Sequence, residues 1–179
     1  MYLIELVELA KSGDKPAFDE IIRENAPDLF RIAMSILKNK DDADDAVCDT
    51  VVKAYENLYK LRDCAFFKTW LIRILINQAN TIYKKRKKIV YLSDIPQETR
   101  QGQYEDFYHL GDTDLSTAVA NLKLEFRTVI VLHYFQDLKV KEIAEALQIP
   151  AGTVKWRLSK AKSILQKELL QRREGLENV

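Results

Sequence analysis

A segment at 138–169 constrains the fold most, because it is patterned as two helices separated by a tight turn. Pro150 ends the first helix, since proline lacks a backbone N–H and forces Ile149 out of the α region. The second helix opens at Ala151, where Gly152 and Thr153 follow. The two apolar stripes consist of Val140, Ile143, Ala144 and Leu147, then Val154, Leu158, Ala161 and Leu165.

Cations lie on the second helix away from its apolar stripe. They are Lys155, Arg157, Lys160 and Lys162. An apolar stripe that docks and a basic outer face suit a helix in the DNA major groove, where cations neutralise phosphates and N-terminal side chains reach base edges. The alternative is an ordinary αα-hairpin with a solvated basic face. The small Ala144, the turn and the charge asymmetry together predict DNA binding.

The composition is that of a water-soluble globular protein. Of the 179 residues, 47% are hydrophobic and 31% are charged, which is ample for a packed core. No apolar run reaches the ~18 residues of a membrane span, and the first residues carry acids where a signal peptide carries cations. We therefore expect a cytoplasmic protein that does not insert into a membrane.

Residues for catalysis or metal binding are scarce. Cys48 and Cys64 are too far apart for a CxxC pair and too few for a disulfide framework, so we expect reduced thiols. His109 and His133 have no partner at metal-ligand spacing. The acidic run at 41–49 lacks the spacing and the glycine of a calcium loop. Without a nucleophile–base pair or a phosphate-binding loop, we expect neither enzyme activity nor a cofactor.

Charge is segregated along the chain although the net charge is only +1. Residues 84–88 are consecutive cations, whereas 41–49 and 94–114 are acidic. A balanced total weakens the salt-dependent attraction to phosphates that drives non-specific DNA binding. This balance predicts DNA binding that depends on a larger partner.

Helical periodicity runs through nearly every segment, and no β alternation is present. The expected helices occupy 3–10 with a stop at Ser12-Gly13, a segment capped by Asp14, one that starts at Pro27, one capped by Asp41 or Asp42, and then 65–88, 114–120, 124–135 and 138–169. We predict an all-α fold with two small helical domains, 1–88 and 114–179, of which the second contains a helix-turn-helix. A flexible acidic linker at 89–113 would join them.

Three segments, in this order, resemble the extracytoplasmic-function (ECF, group 4) sigma factors of bacterial RNA polymerase. DADDAVCDTVVKAYENL (42–58) is similar to the polymerase-binding helix of that family, and FFKTWLIRILINQANTIYKKRKK (66–88) to its helix for the promoter −10 element. IAEALQIPAGTVKWRLSKAK (143–162) is similar to the helix-turn-helix that reads the −35 element. The resemblance implies sigma region 2 over 1–88 and region 4 over 114–179.

The resemblance also implies a function and partners. The chain would be a non-catalytic subunit that binds RNA polymerase core, directs it to specific promoters and helps to open the −10 region. Its partners would be the clamp region of the largest polymerase subunit, the flap region of the second, promoter DNA and an anti-sigma factor. The alternative is a helix-turn-helix regulator that binds DNA without acting as a polymerase subunit.

The polymerase-binding residues that the resemblance implies lie off the apolar stripe of 42–58. They are Asp45, Cys48, Asp49, Lys53 and Glu56. Cys48 departs from the family, which usually has glutamine there. We expect the stripe itself, including Val51, Ala54 and Tyr55, to face the core.

The residues implied for the −10 element fall into a loop, an amide-rich stretch and a cationic cluster. They are Arg62, Asp63 and Cys64; Asn77, Gln78, Asn80 and Thr81; and Lys84, Lys85 and Arg86. Amides read base edges and cations hold phosphates. Unstacked bases need an aromatic surface or a pocket. The helical spacing favours core packing for Phe66 and Trp70 but leaves Phe67 open, so Phe67 is included in the −10 set as a stacking residue.

The residues implied for the −35 element lie in the first half of the second helix of the helix-turn-helix. They are Thr153, Lys155, Trp156, Ser159 and Lys160, with Arg157 as a phosphate anchor. Trp156 replaces a small polar residue, and either contacts DNA or packs against another helix. Gln148 replaces the glycine that is frequent at the turn, so we expect a strained or altered turn there.

Overall fold

The computed structural model describes residues 2–93 and 113–177, and the side chains of 2–88 and 114–173. Those residues form helices and connecting turns without any β-strand, which confirms the all-α prediction. The N-terminal domain contains α1 (Tyr2–Lys11), α2 (Lys15–Leu37), α3 (Lys40–Asn57) and α4 (Phe67–Ser93). The C-terminal domain contains α5 (Thr113–Asn121), α6 (Leu124–Ile130), α7 (Val140–Leu147) and α8 (Ala151–Glu177).

The start of α2 agrees with the sequence, but its length does not. The Asp14 carboxylate accepts a hydrogen bond from the Ala17 N–H at 2.8 Å, which confirms the predicted N-cap. The prediction that a new helix starts at Pro27 is wrong, because α2 continues through that proline to Leu37. Apolar residues on both sides of it, such as Ile21 and Ile32, are fully buried in one core, so packing outweighs the lost backbone hydrogen bond.

Asn39 caps α3, whereas the sequence pointed to Asp41 or Asp42. The Asn39 side chain accepts from the Asp42 N–H at 2.9 Å, and its backbone is extended. Both aspartates therefore lie inside the first turn of the helix. Their negative charge there is favourable, because the N-terminal end of a helix dipole is positive.

Helix α4 starts later and ends later than the sequence predicted. A 3₁₀ turn at Cys64–Phe66 precedes it, and α4 then runs from Phe67 to Ser93. The first five residues of the predicted linker, 89–93, are therefore helical. The remainder of that linker, 94–112, with its predicted flexibility, lies outside the described residues.

The C-terminal domain contains the predicted helix-turn-helix. Helix α6 continues as a π-helical turn at Val131–Phe135. At the start of α7 the Glu142 carboxylate accepts from the Lys139 N–H at 2.6 Å. Gln148 ends α7 with a left-handed backbone, φ 55°, which is the conformation that glycine usually supplies at this position. The turn therefore keeps its ordinary shape, and the expected strain falls on the Gln148 backbone.

The two domains pack directly against each other, α2 against α6 and α4 against α7. The Lys38 ammonium at the end of α2 donates to the Ala120 carbonyl at 2.6 Å. Partial burial, and then the nearby charge of Arg127, lower the pKa of Lys38. Elsewhere in the contact, the Lys68 ammonium of α4 donates to the carbonyl of Gln136, which is buried and whose side-chain amide has no hydrogen-bond partner among the described residues.

None of the helices within the described ranges is long and apolar enough to cross a bilayer.

Candidate polymerase and nucleic-acid interface

The outer face of α3 carries the five predicted polymerase-binding residues, and all five are exposed: Asp45, Cys48, Asp49, Lys53 and Glu56. They lie opposite Ala43, Ala46, Thr50 and Ala54, which pack into the core. The Lys53 ammonium donates to the Gln78 Oε1 at 2.7 Å, so it joins this face to α4. The face therefore combines three carboxylates with one positioned cation.

Sequence reasoning missed the apolar part of this face. Val52, Tyr55 and Tyr59 are 57%, 54% and 69% exposed. The prediction that Tyr55 belongs to the core is wrong, because its side chain is largely exposed although its ring forms a T-shaped pair with Phe18, with centroids 5.1 Å apart. The positions 48, 52, 55 and 59 recur at helical spacing, and this second stripe was the available signal. Exposed apolar groups ringed by charges are typical of a protein-binding surface.

The loop before α4 is held in place from both sides. The Lys11 ammonium donates to the Leu61 carbonyl at 2.6 Å. Asp63 is exposed, but its carboxylate already accepts from the Ala65 N–H at 2.9 Å. Arg62 is exposed and Cys64 is buried. Arg62 and Asp63 therefore present polar groups to solvent, whereas Cys64 anchors the loop to the core.

The two phenylalanines at the start of α4 exchange their predicted positions. Phe67 is fully buried, so its assignment to DNA contact is wrong. Phe66 was expected in the core, and this is also wrong, since it is 50% exposed. The helix starts at Phe67, which fixes its phase, and residues 67, 71 and 75 then share the core face. Trp70 is half-buried against the core, as expected, and touches Phe67.

The four polar residues in the amide-rich stretch of α4 differ in their exposure to solvent. Asn77 and Thr81 are exposed one turn apart, on the same side as Lys84. Gln78 is buried and its amide oxygen is engaged by Lys53. Asn80 is half-buried and faces the C-terminal domain. Only Asn77 and Thr81 are thus directly available to a nucleic acid in this conformation.

The predicted cationic cluster is exposed at Lys84, Lys85 and Arg86. Arg86 forms an ion pair with Asp42 in the first turn of α3. The acidic and basic segments seen in the sequence therefore meet in the fold. Lys84 and Lys85 are exposed without such an ion pair among the described residues.

Helix α8 presents Lys155, Ser159 and Lys160 to solvent, with Thr153 half-buried near its start. The opposite side, Val154, Leu158, Ala161 and Leu165, is buried. Arg157 is half-buried and forms an ion pair of 3.4 Å with Glu125. The predicted phosphate anchor is thus occupied by a carboxylate of its own domain.

Trp156 packs against another helix, which is one of the two alternatives that the sequence left open; DNA contact stays a prediction. Its ring lies 5.9 Å from the ring of Phe126 in α6, so it packs against another helix. It nevertheless remains 57% exposed. Part of the indole surface is therefore open to solvent.

A cleft of about 410 Å³ lies between the two domains. Its lining includes Asn80 from the −10 set and Arg157 from the −35 set. The remaining lining residues are Ile36, Ile76, Lys123, Leu124, Glu125, Thr128 and Leu147. In the part of the chain that the structure describes, no cluster of three or more metal-ligating side chains occurs.

Comparisons with known proteins agree with this arrangement. Sigma-70 region 2 matches residues 21–89, and Sigma-70, region 4 matches residues 113–165. The RNA polymerase sigma factor SigV of Bacillus subtilis is 36% identical over 159 residues, which are 89% of this chain and 95% of that protein. The ECF RNA polymerase sigma factor SigW of the same organism is 30% identical, covering 94% and 97% of the two chains.

A solved structure shows the same fold. The sigma factor RpoE of Bartonella quintana, in complex with the anti-sigma factor NepR, superposes with a TM-score of 0.73 at 27% identity. The superposition covers 85% of this chain and 96% of that one. The order of the two sigma regions, the near-complete coverage of two relatives and the shared fold lead to one conclusion: the chain belongs to the ECF sigma factors of RNA polymerase.

Proposed function

We propose that this sigma factor binds RNA polymerase core through the outer face of α3 and then reads two promoter elements with α4 and α8. The observation that carries the proposal is the match of regions 2 and 4 to the two domains, on which these faces are exposed. The chain would work in the cytoplasm, together with polymerase.

The α3 face suits a protein partner. Its exposed Val52, Tyr55 and Tyr59 supply apolar area, and the surrounding carboxylates supply orientation. We assign this face to the clamp region of the largest polymerase subunit. We assign the C-terminal domain to the flap region of the second subunit, as the family resemblance implies.

The DNA-facing residues are revised by the fold. For the −10 element we propose Arg62, Asp63, Phe66, Asn77, Thr81, Lys84 and Lys85, with Phe66 in place of the buried Phe67 as the surface on which an unstacked base would lie. For the −35 element we propose Thr153, Lys155, Trp156, Ser159 and Lys160. Asn80 and Arg157 join these sets only when the cleft between the domains opens.

An anti-sigma factor is the remaining proposed partner. A structural neighbour was solved with an anti-sigma factor bound. Such a partner would hold the chain inactive by covering its polymerase and DNA surfaces. Co-purification with tagged chain, with and without excess polymerase core, would show whether the two compete.

The test of the function is initiation itself. Purified chain and Bacillus subtilis core polymerase are mixed with a pooled library of promoter fragments, and the 5′ ends of the transcripts are sequenced. We expect starts at a shared pair of upstream elements that disappear when the chain is omitted. A helix-turn-helix regulator, by contrast, would bind fragments without producing any transcript, and that result would reject the proposal.

Replacing Lys84 and Lys85 by alanine is expected to weaken DNA binding without changing sequence preference. Each exposed cation that neutralises a phosphate adds about 0.9 to the slope of log affinity against log salt, so the slope should flatten by about 2. The readout is the salt dependence of holoenzyme binding to a mapped promoter. The charge-matched control is Lys15→Ala with Arg23→Ala, both exposed on α2. An unchanged slope in the first variant would place these cations away from the phosphates.

Lys155→Ala is expected to cost about 1–3 kcal/mol of promoter affinity, if Lys155 contacts a base near the start of α8. Competition between duplexes that differ only in the −35 element measures this loss. Lys162→Ala is the matched control, because Lys162 is also exposed on α8 but lies over the Tyr134 ring at 5.4 Å. Retained −35 discrimination in Lys155→Ala would remove this residue from the reading set.

A further inference from the structure

The cleft between the two domains combines an aliphatic lining with an excess of positive charge. Its volume of about 410 Å³ is typical of sites that take small organic molecules. Lys123 and Arg157 bring two positive charges to the lining, against the single negative charge of Glu125. The aliphatic side chains come from both domains and are Ile36, Ile76, Leu124 and Leu147. This lining favours a ligand that has an apolar body and a negative charge.

The guanidinium of Arg157 leaves part of its hydrogen-bonding capacity unused. Its Nη2 lies 3.4 Å from the Glu125 carboxylate, which is longer than the about 2.7–2.9 Å of a strong charge-assisted hydrogen bond. Its Nε is buried and has no acceptor among the described residues. A buried donor without an acceptor destabilises the protein. An anion in the cleft that reoriented the guanidinium and accepted from it would remove this penalty.

Polar groups line the cleft from both domains. Asn80 of α4 is half-buried, and its side-chain amide can both donate to a ligand and accept from it. Arg157 lies on α8 of the other domain. Water alone would satisfy these polar groups but leave the aliphatic side chains hydrated, which is unfavourable. An organic anion with an apolar body fits both parts of the lining.

We propose that this cleft is a binding site for a small organic anion with an apolar body. The guanidinium of Arg157 holds the anionic group, the aliphatic side chains cover the apolar body, and Glu125 opposes a second negative charge. Because Asn80 and Arg157 belong to the sets proposed for promoter DNA, an occupied cleft keeps both side chains from DNA. This last consequence rests on the proposed function, whereas binding of the anion does not.

The test compares two fluorescent probes that differ in charge. Anilinonaphthalene sulfonate has an apolar ring system and one sulfonate, and phenylnaphthylamine has the same ring system without the sulfonate. Both brighten when they enter an apolar site, so titration gives the Kd of each probe. The full chain is titrated without polymerase or DNA, and the change in each Kd is measured from one variant to the next. Far-UV circular dichroism establishes that each variant is folded.

Three variants of the lining have different expected effects. Arg157→Gln should weaken binding of the sulfonate about tenfold and leave the uncharged probe unchanged, since only the anion loses a partner. Glu125→Gln should tighten binding of the sulfonate about two- to fivefold, because it removes an opposing, partly exposed charge. Leu147→Phe should weaken both probes, because the larger side chain takes up space in the cleft.

The control is Arg31→Gln, which removes an arginine charge on α2 outside the lining and should change neither Kd. The proposal is overturned if the sulfonate binds the parent chain and Arg157→Gln equally well, or if Arg31→Gln weakens it as much. It is also overturned if Arg157→Gln weakens both probes alike, if Leu147→Phe weakens neither, or if the parent chain binds neither probe at millimolar concentration.

The two proposals fail in different assays. A chain that binds the sulfonate as expected but does not initiate transcription with core polymerase would reject the proposed function and leave the anion site in place. A chain that initiates transcription but shows none of the expected changes in Kd would reject the anion site alone.

Discussion

Phe67→Ala is expected to lower the free energy of unfolding by about 3–5 kcal/mol, because it removes a fully buried ring from the middle of the N-terminal core. Phe66→Ala, at the neighbouring and 50% exposed position, should cost less than about 1 kcal/mol. Urea unfolding followed by tryptophan fluorescence measures both, since Trp70 contacts the Phe67 ring.

The same two variants distinguish a role in stability from a role in promoter opening. We expect Phe66→Ala to leave the fold intact and to slow open-complex formation, measured by permanganate reactivity of the −10 region. If the two variants lose equal stability, the assignment of the core position is wrong. If Phe66→Ala opens promoters normally, this ring does not receive the base.

Arg127→Met is expected to destabilise the chain by about 2–4 kcal/mol. It removes a buried guanidinium that donates to the carbonyl of Ser35 and, at 2.6 Å, to that of Leu122, so buried acceptors lose their donors. The matched control is Arg31→Met, whose guanidinium forms a partly exposed ion pair with Asp28 at 2.9 Å. An exposed pair of this kind contributes about 0–1 kcal/mol.

Denaturant midpoints of the two arginine variants provide the comparison. Equal midpoints would mean that the interdomain carbonyls find other donors once Arg127 is gone.

The sequence alone was sufficient to predict the helical class, the helix-turn-helix and the family, because each depends on local patterns. The stripe of α8 and the stop at Pro150 are set by residues within one turn of each other. The Asp14 cap is likewise a local hydrogen bond. The exposed charges of α3 and α8 could also be predicted from the sequence, since charged side chains opposite an apolar stripe lie on the side of the helix that faces solvent.

The Pro27 error and the missed Arg127 contact depended on packing between distant segments, whereas the Phe66 and Phe67 errors depended on where α4 begins. Pro27 continues a helix because residues far along the chain complete the core around it. The exchange of Phe66 and Phe67 turned on where α4 begins, which a 3₁₀ turn decides. Nothing in the local pattern of 114–135 indicated that Arg127 would reach Ser35, 92 positions earlier.

The buried side chain of Gln136 destabilises the contact between the two domains. An amide buried with neither its nitrogen nor its oxygen bonded within the described ranges carries a penalty of about 1–3 kcal/mol. Hydration of this side chain would recover part of that penalty. This penalty therefore offsets part of the stabilisation gained where the Lys68 ammonium of α4 meets the Gln136 carbonyl, so that side of the domain contact is weaker than its packing alone indicates.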